Sequence, residues 1–202
     1  MADNVPITAG SGTSIATDDV GGAHYQWVKI ADGTADSSTG VAASSSKGLR
    51  VDPRTATTLI AQTPTVSNGS IYAAKDAVGG VMTFANAARV SGEGGLLESV
   101  TIVDKGQQLA TLDLVLFSAT VSATDNAAFD PNDSDLANCV GVIPISGGDW
   151  ADFNDNSVAT RAGIGLAYVC AATSLFGVLV ARSTPTYTST SDIIVTIGVV
   201  PD

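Results

Sequence analysis

The sequence is poor in the residues on which most catalytic and nucleic-acid-binding sites depend. Its 202 residues include one histidine, two cysteines, two tryptophans and nine Lys and Arg residues, against 20 Asp and Glu residues. The net charge of −11 argues against a nucleic-acid partner, because binding a phosphate backbone needs clustered Lys and Arg. The single histidine, His24, removes most acid–base schemes, and no nucleophile elbow, phosphate-binding loop or zinc-binding helix motif occurs. We therefore expect no enzymatic activity, no catalytic residues and no cofactor.

Long apolar segments are missing as well. The opening residues MADNVPITAG lack the basic start and the apolar run of a signal peptide, and no segment reaches the roughly 18 apolar residues of a membrane span. We expect a soluble protein that is made in a cytoplasm and has no membrane partner. Cys139 and Cys170 lie in the apolar runs CVGVIPI and AYVCAA. Both are predicted to be buried free thiols rather than a disulfide.

What is present, from about residue 57 onward, is a series of short apolar runs with turn residues between them. The runs are TLIAQTPTV, SIYAAK, VMTFANAARV, LLESVTIVD, LATLDLVLFSATV, CVGVIPIS, GIGLAYVCAA, LFGVLVARS and DIIVTIGVV. The pair Asn68-Gly69 predicts a hairpin between the first two runs. Seven or more short strands of this kind predict an all-β domain at 57–202, an antiparallel β-sandwich or a jelly-roll-like barrel.

Alternation within one run predicts which of its faces is buried. In 109-LATLDLVLFSATV-121 one face is almost entirely apolar and is expected to point into the core. Its residues are Ala110, Leu112, Leu114, Leu116 and Ser118. One helix is predicted from Pro131 to Asn138, with Asp130 as its cap.

Residues 1–56 have a different composition and are predicted to form an extended N-terminal arm and linker. The segment ADGTADSSTGVAASSSKG at 31–48 contains almost no large apolar residue, so burial cannot offset the entropy lost on ordering it. Before it, HYQWVKI at 24–30 alternates with a period near two, which predicts a short strand with no obvious local partner.

Two acidic loops are the best candidates for a chemical site. The first places oxygen ligands in alternation, as a calcium loop does, but it lacks the glycine at the sixth position and the final Glu. Its residues are Asp130, Asn132, Asp133 and Asp135. The second contains Asp149, Asp152 and Asp155, with Trp150 and Phe153 as the only nearby aromatic side chains. We interpret both loops as solvated or edge-protecting and predict no metal site, although a glycoside-hydrolysing carboxylate pair remains an alternative for the second.

Four segments make the chain resemble virion structural proteins of tailed bacteriophages, of the capsid decoration (cement) or auxiliary head type. They are ITAGSG with IATDDVGGAHYQWVKI, EGGLLESVTIVDKGQQLATLDLVLF with the following NAAFDPNDSDL, the strand CVGVI, and VARSTPTYTSTSDIIVTIGVV. The resemblance spans most of the chain. It implies a protein that is synthesised in the bacterial host cytoplasm and located on the capsid surface of the virion, with no catalytic residues to carry over.

The arm is the expected attachment point in such a protein. An extended segment can add a strand to the edge of a neighbouring sheet, with aromatic side chains as anchors in pockets. We expect the major capsid protein to be contacted by Ile15, His24, Tyr25, Trp27, Val28 and Ile30. The protein would bridge major capsid subunits, and we expect it to self-associate as a homotrimer, with a twofold dimer as the second choice.

Two other classes of function remain open. A tail, baseplate or fibre-base subunit would share the β domain and could bind host carbohydrate through the loops near Trp150. A hydrolase would require Asp149, Asp152 and Asp155 to converge in one concave site with shifted pKa values.

Overall fold

The computed structural model describes the backbone of residues 17–20 and 23–26, and residues 57–201 with their side chains. The two short segments form the antiparallel strands β1 (Thr17–Val20) and β2 (Ala23–Gln26). The predicted strand at HYQWVKI therefore does have a local partner, which corrects the sequence-based expectation. In the sequence, Gly21-Gly22 stands between the two segments, and a Gly-Gly pair between two short strands is a recognised hairpin signal.

Residues 57–201 form an antiparallel β-sandwich, which confirms the predicted fold class. The strands are β3 (Thr58–Gln62), β4 (Ala77–Phe84), β5 (Gly94–Asp104), β6 (Leu112–Phe117), β7 (Cys139–Ile145), β8 (Trp150–Asp152), β9 (Ser157–Val169), β10 (Leu175–Ala181) and β11 (Ile193–Pro201). One sheet has the order β4-β10-β6-β7 and the other the order β3-β11-β5-β9-β8. A helical turn, α1 (Asp133–Leu136), and a 3₁₀ turn at Gly147–Asp149 complete the elements. Within residues 57–201, no helix is long and apolar enough to cross a bilayer.

The core lies between the two sheets and follows the alternation of the strands. In β11 every second residue is buried, and β-branched side chains at these positions suit a pleated surface that is covered on one side. These residues are Ile193, Val195, Ile197 and Val199. From the opposite sheet, Leu112, Leu114 and Leu116 of β6 enter the same core, as predicted.

The outer face of the four-stranded sheet is also apolar and buried, which the alternation of β6 did not predict. Val115 and Phe117 of β6 pack there against Val178 and Val180 of β10. Residues 118–132, here named the cover segment, lie over this face and add side chains including Val121 and Phe129. The rings of Phe117 and Phe129 meet edge to face at 6.1 Å. The two central strands of this sheet, β6 and β10, are therefore buried on both faces.

Three local predictions are wrong: the hairpin at Asn68-Gly69, the extent and cap of the helix, and the burial of Cys139. The Asn68-Gly69 turn exists, with Gly69 at φ +73°, but the runs on either side of it do not pair with each other. β3 pairs with β11, whereas Asn68 and Ile71 form isolated bridges to Tyr187 and Thr186. The residues on either side of this turn pair with residues far away in the sequence, and a local turn signal cannot indicate such pairing.

The helix is shorter than predicted, since α1 covers only Asp133–Leu136. Its cap is Asn132, whose side-chain oxygen accepts a hydrogen bond from the Asp135 backbone N–H at 2.9 Å, and not Asp130. Both cysteines are free thiols, but only Cys170 is buried, since Cys139 is exposed at the start of the edge strand β7.

Candidate functional site

Most of the arm residues predicted to bind a partner lie outside the described residues. Ile15, Trp27, Val28 and Ile30 are in this group. The other two, His24 and Tyr25, lie in β2, where His24 is opposite Asp19 and Tyr25 is opposite Asp18. The structure therefore places two of the six on one strand of a hairpin, and their role stays a prediction.

The first acidic loop uses its oxygen atoms to begin a helical turn. Asn132 accepts hydrogen bonds from the Asp135 backbone N–H and from the Ser134 hydroxyl, at 2.9 and 2.6 Å. Asp133 and Asp135 occupy the first turn of α1, where negative charge suits the N-terminal end of the helix dipole. No group of three or more His, Cys, Asp or Glu side chains within residues 57–201 is arranged to hold a metal ion.

The carboxylates of the second acidic loop each bond to a different partner. Asp149 accepts hydrogen bonds from the backbone N–H and the hydroxyl of Ser146, both at 2.7 Å, and forms an ion pair with Arg161 at 2.9 Å. The Ser146 hydrogen bonds, with a smaller contribution from Arg161, lower the pKa of Asp149. Asp152 accepts from the Gln107 side-chain amide, and Asp155 accepts from Asn156. An anionic Asp149 suits loop closure better than the general-acid role that a hydrolase would need.

Trp150 is part of the fold and not an exposed platform for a sugar ring. Its side chain is half-buried and packs against the core between the sheets. Its indole Nε1 donates a hydrogen bond of 2.9 Å to the Ala110 carbonyl oxygen. Of the two aromatic residues near this loop, only Phe153 is exposed, at 55% of its surface.

Buried and half-buried carboxylates elsewhere in the sandwich fasten loops to it. Asp125, in the cover segment, accepts hydrogen bonds from the Tyr72 hydroxyl at 2.6 Å, the Ser67 hydroxyl at 2.5 Å and the Gly79 backbone N–H at 2.7 Å. The backbone N–H of Ser67 also donates to the Tyr72 oxygen at 2.7 Å. Burial of Tyr72, together with its hydrogen bond to Asp125, raises its pKa to about 12. These four residues, here named the Asp125 cluster, attach the cover segment to β4 and to the loop before it.

A second polar group closes the turn after β5. Asp104 is fully buried and accepts hydrogen bonds from the backbone N–H groups of Gly106 and Gln108 at 2.9 and 2.7 Å. Burial raises the pKa of Asp104, although these N–H donors oppose the rise. Asp192 accepts three hydrogen bonds from the 188–189 turn, and burial beside these two carboxyl groups raises the pKa of Tyr187. Here too the acidic groups hold turns in place.

One side of the sandwich is open, between the edge strand β7 and the part of β9 beyond the end of β8. A shallow groove of about 500 Å³ runs there, lined by residues 142–144 of β7 and 160–164 of β9. A bulge interrupts β9 in this region, with Gly163 and Gly165 at φ +67° and +65°. Both values lie in the left-handed region that glycine adopts without a steric penalty. β7 contributes Pro144, which has no N–H to offer to an added strand.

The outer face of the five-stranded sheet has no charged side chain across three rows of paired residues. We name this surface the neutral face. Its rows are Leu59, Gly198, Ser99 and Ala162; Ala61, Thr196, Thr101 and Thr160; and Ile194, Val103, Val158 and Ala151. Apart from Gly198 these residues are exposed or half-exposed, and Leu59 is 71% exposed. Three carboxylates lie one position along the chain from these rows: those of Glu98 beside Ser99, Asp104 beside Val103 and Asp152 beside Ala151.

The sequence contained a signal for the neutral face that strand prediction alone did not use. Antiparallel strands that are covered on one side normally alternate apolar and polar residues. In the runs that became β5 and β11, both sets of alternate positions are uncharged over most of the strand, as in VTIV and IIVTIGVV. The missing information was the order of the strands, which brings these positions together.

Comparisons with protein-family models and with curated protein sequences find no match for this chain.

Proposed function

We propose that this protein is a capsid decoration (cement) protein of a tailed bacteriophage, with a structural and non-enzymatic role. It binds the outer surface of the head, contacts the major capsid protein through residues 1–56, and stabilises the shell by bridging capsid subunits. Its place is the virion capsid surface. Copies contact each other there, as a homotrimer or as a twofold dimer.

The proposal rests on one observation: the buried and half-buried carboxylates of the sandwich hold its turns and loops in place through hydrogen bonds. The carboxylate of Asp125 accepts hydrogen bonds from residues 46 to 58 positions away in the chain, whereas those of Asp104 and Asp192 accept from the turns next to them. Each of the three closes part of the fold. Hydrogen bonds to charged groups are among the stronger ones, so they resist local opening. A sandwich fastened in this way suits a protein whose work is mechanical. The resemblance of the sequence to phage virion proteins supplies the biological setting.

The second candidate, a tail or fibre-base subunit that binds carbohydrate, has less support from the side chains near Trp150. A sugar site needs an exposed aromatic face, whereas the indole of Trp150 is half-buried and hydrogen-bonded to Ala110. A tail subunit without sugar binding is still distinguished from a shell protein by its copy number.

The test of the proposal is the stoichiometry of this protein in purified virions, measured by quantitative mass spectrometry against the major capsid protein and a tail protein. A decoration protein is expected in a fixed ratio to the major capsid protein. A ratio that matches the tail protein would refute the shell assignment.

The role of the arm is tested in the full-length chain. Replacing Tyr25 and Trp27 by Ala is expected to weaken binding to shells that lack this protein, while the unfolding temperature of the sandwich stays the same. The matched control is Phe153→Ala, which removes an exposed aromatic ring from the sandwich instead of from the arm. Equal shell binding by the arm variant and the control would contradict attachment through the arm.

A further inference from the structure

We propose that Asp104, Ser157 and Asp152 bind a calcium ion at one end of the core, beneath the turn that follows β5. We name these three residues the Ser157 row, because they lie side by side on β5, β9 and β8. Such a site goes beyond the proposed function, which does not depend on it.

The sheet register brings the Ser157 row together on the inner face of the five-stranded sheet. Ser157 is directly opposite Asp104 on one side and directly opposite Asp152 on the other. Residues paired in this way point to the same face, with their Cβ atoms about 4.5–5.5 Å apart. Asp104 and Ser157 are fully buried, so this face is the one turned toward the core. Asp152, in the edge strand β8, is exposed and leaves the row a path to solvent.

One turn closes over both carboxylates of the row. The backbone N–H groups of Gly106 and Gln108 donate hydrogen bonds to Asp104 at 2.9 and 2.7 Å. The side-chain amide of Gln107, in the same turn, donates to Asp152. Both carboxylates therefore lie under this turn, with the serine of the row between them.

The Ser157 hydroxyl is the observation that points to a ligand at this position. Its Oγ is fully buried and forms no hydrogen bond with any residue in 57–201. Native proteins rarely leave a buried hydroxyl without a partner, and a bound ion or water molecule is the usual partner where no side chain supplies one. A ligand held between the two carboxylates of the row lies within reach of this oxygen atom.

The charge at this end of the core favours a cation over a water molecule. A Cβ placed on Gly106 would lie 3.4 Å from Asp104 Oδ1 and 3.2 Å from Asp192 Oδ2. The carboxylate of Asp192 is also buried, so it adds to the negative potential beside the row. The Lys105 ammonium group, the nearest positive charge along the chain, donates instead to the Ser191 carbonyl oxygen at 3.1 Å.

The arginines that form ion pairs within residues 57–201 serve other carboxylates. Arg161 pairs with Asp149, and Arg182 pairs with Asp113. In the part of the chain that the structure describes, the carboxylates of the Ser157 row thus have no basic partner. Buried charges in proteins are normally paired with a basic side chain or with a metal ion, and here the metal ion fits.

The ligand atoms of the row are all oxygen, which selects a hard cation. Ca²⁺ accepts about 6–8 oxygen ligands in flexible geometry, whereas Mg²⁺ demands a near-ideal octahedron and Zn²⁺ favours nitrogen and sulfur. Three side chains leave the remaining positions to water and carbonyl oxygens. A site with so few protein ligands belongs to the weak class of calcium sites, with a Kd of roughly 1 mM.

The experiment is thermal unfolding of the full-length chain after treatment with a chelator, with either CaCl₂ or MgCl₂ added at equal ionic strength. At about 10 mM, Ca²⁺ bound with this affinity shifts the folding equilibrium about elevenfold, which corresponds to a rise of about 3–6 °C in Tm. Mg²⁺ carries the same charge and is expected to give less than about half of this rise.

The main variant is Asp152→Asn, which removes a charged ligand while its amide oxygen can still accept from Gln107. Its Ca²⁺-dependent rise is expected to fall below about 2 °C, because the affinity drops about tenfold. The matched control is Asp155→Asn, the same change at an exposed carboxylate of the same loop that bonds to Asn156. This control is expected to keep the full rise.

Ser157→Ala is the second variant and keeps the charge of the row unchanged. Because it removes a hydroxyl that has no partner within residues 57–201, it is not expected to lower the Tm of the metal-free protein. Its Ca²⁺-dependent rise is expected to be smaller than that of wild type.

Three outcomes would overturn the proposal. A Ca²⁺ response no larger than the Mg²⁺ response would mean that divalent ions only screen the net charge of −11. Equal responses of Asp152→Asn and Asp155→Asn would place the ion elsewhere, and no response in wild type would leave the row to water. Virion stoichiometry is measured separately, so failure of the calcium site is distinguishable from failure of the decoration assignment.

Discussion

Asp125→Ala is expected to release the cover segment and destabilise the sandwich. The substitution removes the acceptor for Tyr72, Ser67 and Gly79. Tyr72 and Gly79 are buried, so two donors lose a charged acceptor that water cannot readily replace, whereas the half-exposed Ser67 can turn to solvent. Hydrogen bonds to charged groups contribute about 1.5–3 kcal/mol each. Taking the low end for a partly exposed cluster, we expect a loss of about 3 kcal/mol in the free energy of unfolding.

Urea denaturation followed by circular dichroism measures this loss directly. Thermal unfolding should show a decrease of about 6–12 °C in Tm for a chain of this length. The control is Asp130→Ala, an exposed carboxylate of the same cover segment, for which a change within about 0.5 kcal/mol is expected. A double-mutant cycle with Tyr72→Phe should give a coupling energy of about 1 kcal/mol or more. A loss at Asp125 no larger than at Asp130, or additive effects with Tyr72, would refute the reasoning.

Three further predictions concern packing, pH and thiol reactivity. Gly177→Ala is expected to lower the free energy of unfolding in urea by about 1–3 kcal/mol, because the added Cβ would lie 2.8 Å from the Phe84 ring. Gly147→Ala is the control, since a Cβ at Gly147 would meet nothing within 4 Å. Equal losses of stability in the two variants would contradict the prediction. Burial raises the pKa of Asp104 above its usual 3.8, so the carboxyl group destabilises the fold once it ionises. Wild type should therefore lose stability relative to Asp104→Asn as the pH rises above about 4, in urea unfolding measured across pH; a difference that does not change with pH would be inconsistent with this. An aromatic disulfide reagent should react with one thiol in the native protein and with two in denaturant. Cys139 is exposed, whereas burial of Cys170 raises its pKa to about 11. Rapid reaction of two thiols in the native protein would contradict the burial of Cys170.

The positions of the strands and the inward face of β6 could be read from the sequence because they depend on local alternation. Leu112, Leu114 and Leu116 recur with period two, and this pattern needs no knowledge of the partner strand. The pairing of β3 with β11 could not be read in this way, because the partner lies more than 130 residues away and the local turn signal at Gly69 pointed elsewhere. Strand pairing thus depended on packing that only the three-dimensional structure supplies.

The polar sites were harder to predict for the same reason. Asp125 lies 53 residues from Tyr72 and 58 from Ser67, so nothing in its local sequence distinguishes it from the exposed Asp130. The acidic loops are prominent in the sequence because their carboxylates are close together along the chain. In the structure, however, Asp149 bonds to Arg161 and Asp152 bonds to Gln107, so these carboxylates do not form one site. The residues of the Asp125 cluster are far apart in the sequence and only the folded sandwich brings them together.

The open side of the sandwich affects how the protein behaves when many molecules are crowded together. Unpaired strand edges attract other strands, and a chain composed of strands could polymerise through them into fibres. The glycine bulge at Gly163 and Gly165 distorts one edge, and Pro144 removes a donor from the other. Both features oppose lateral growth by strand addition on this side, so we expect the protein to reach high density without forming fibres through these edges.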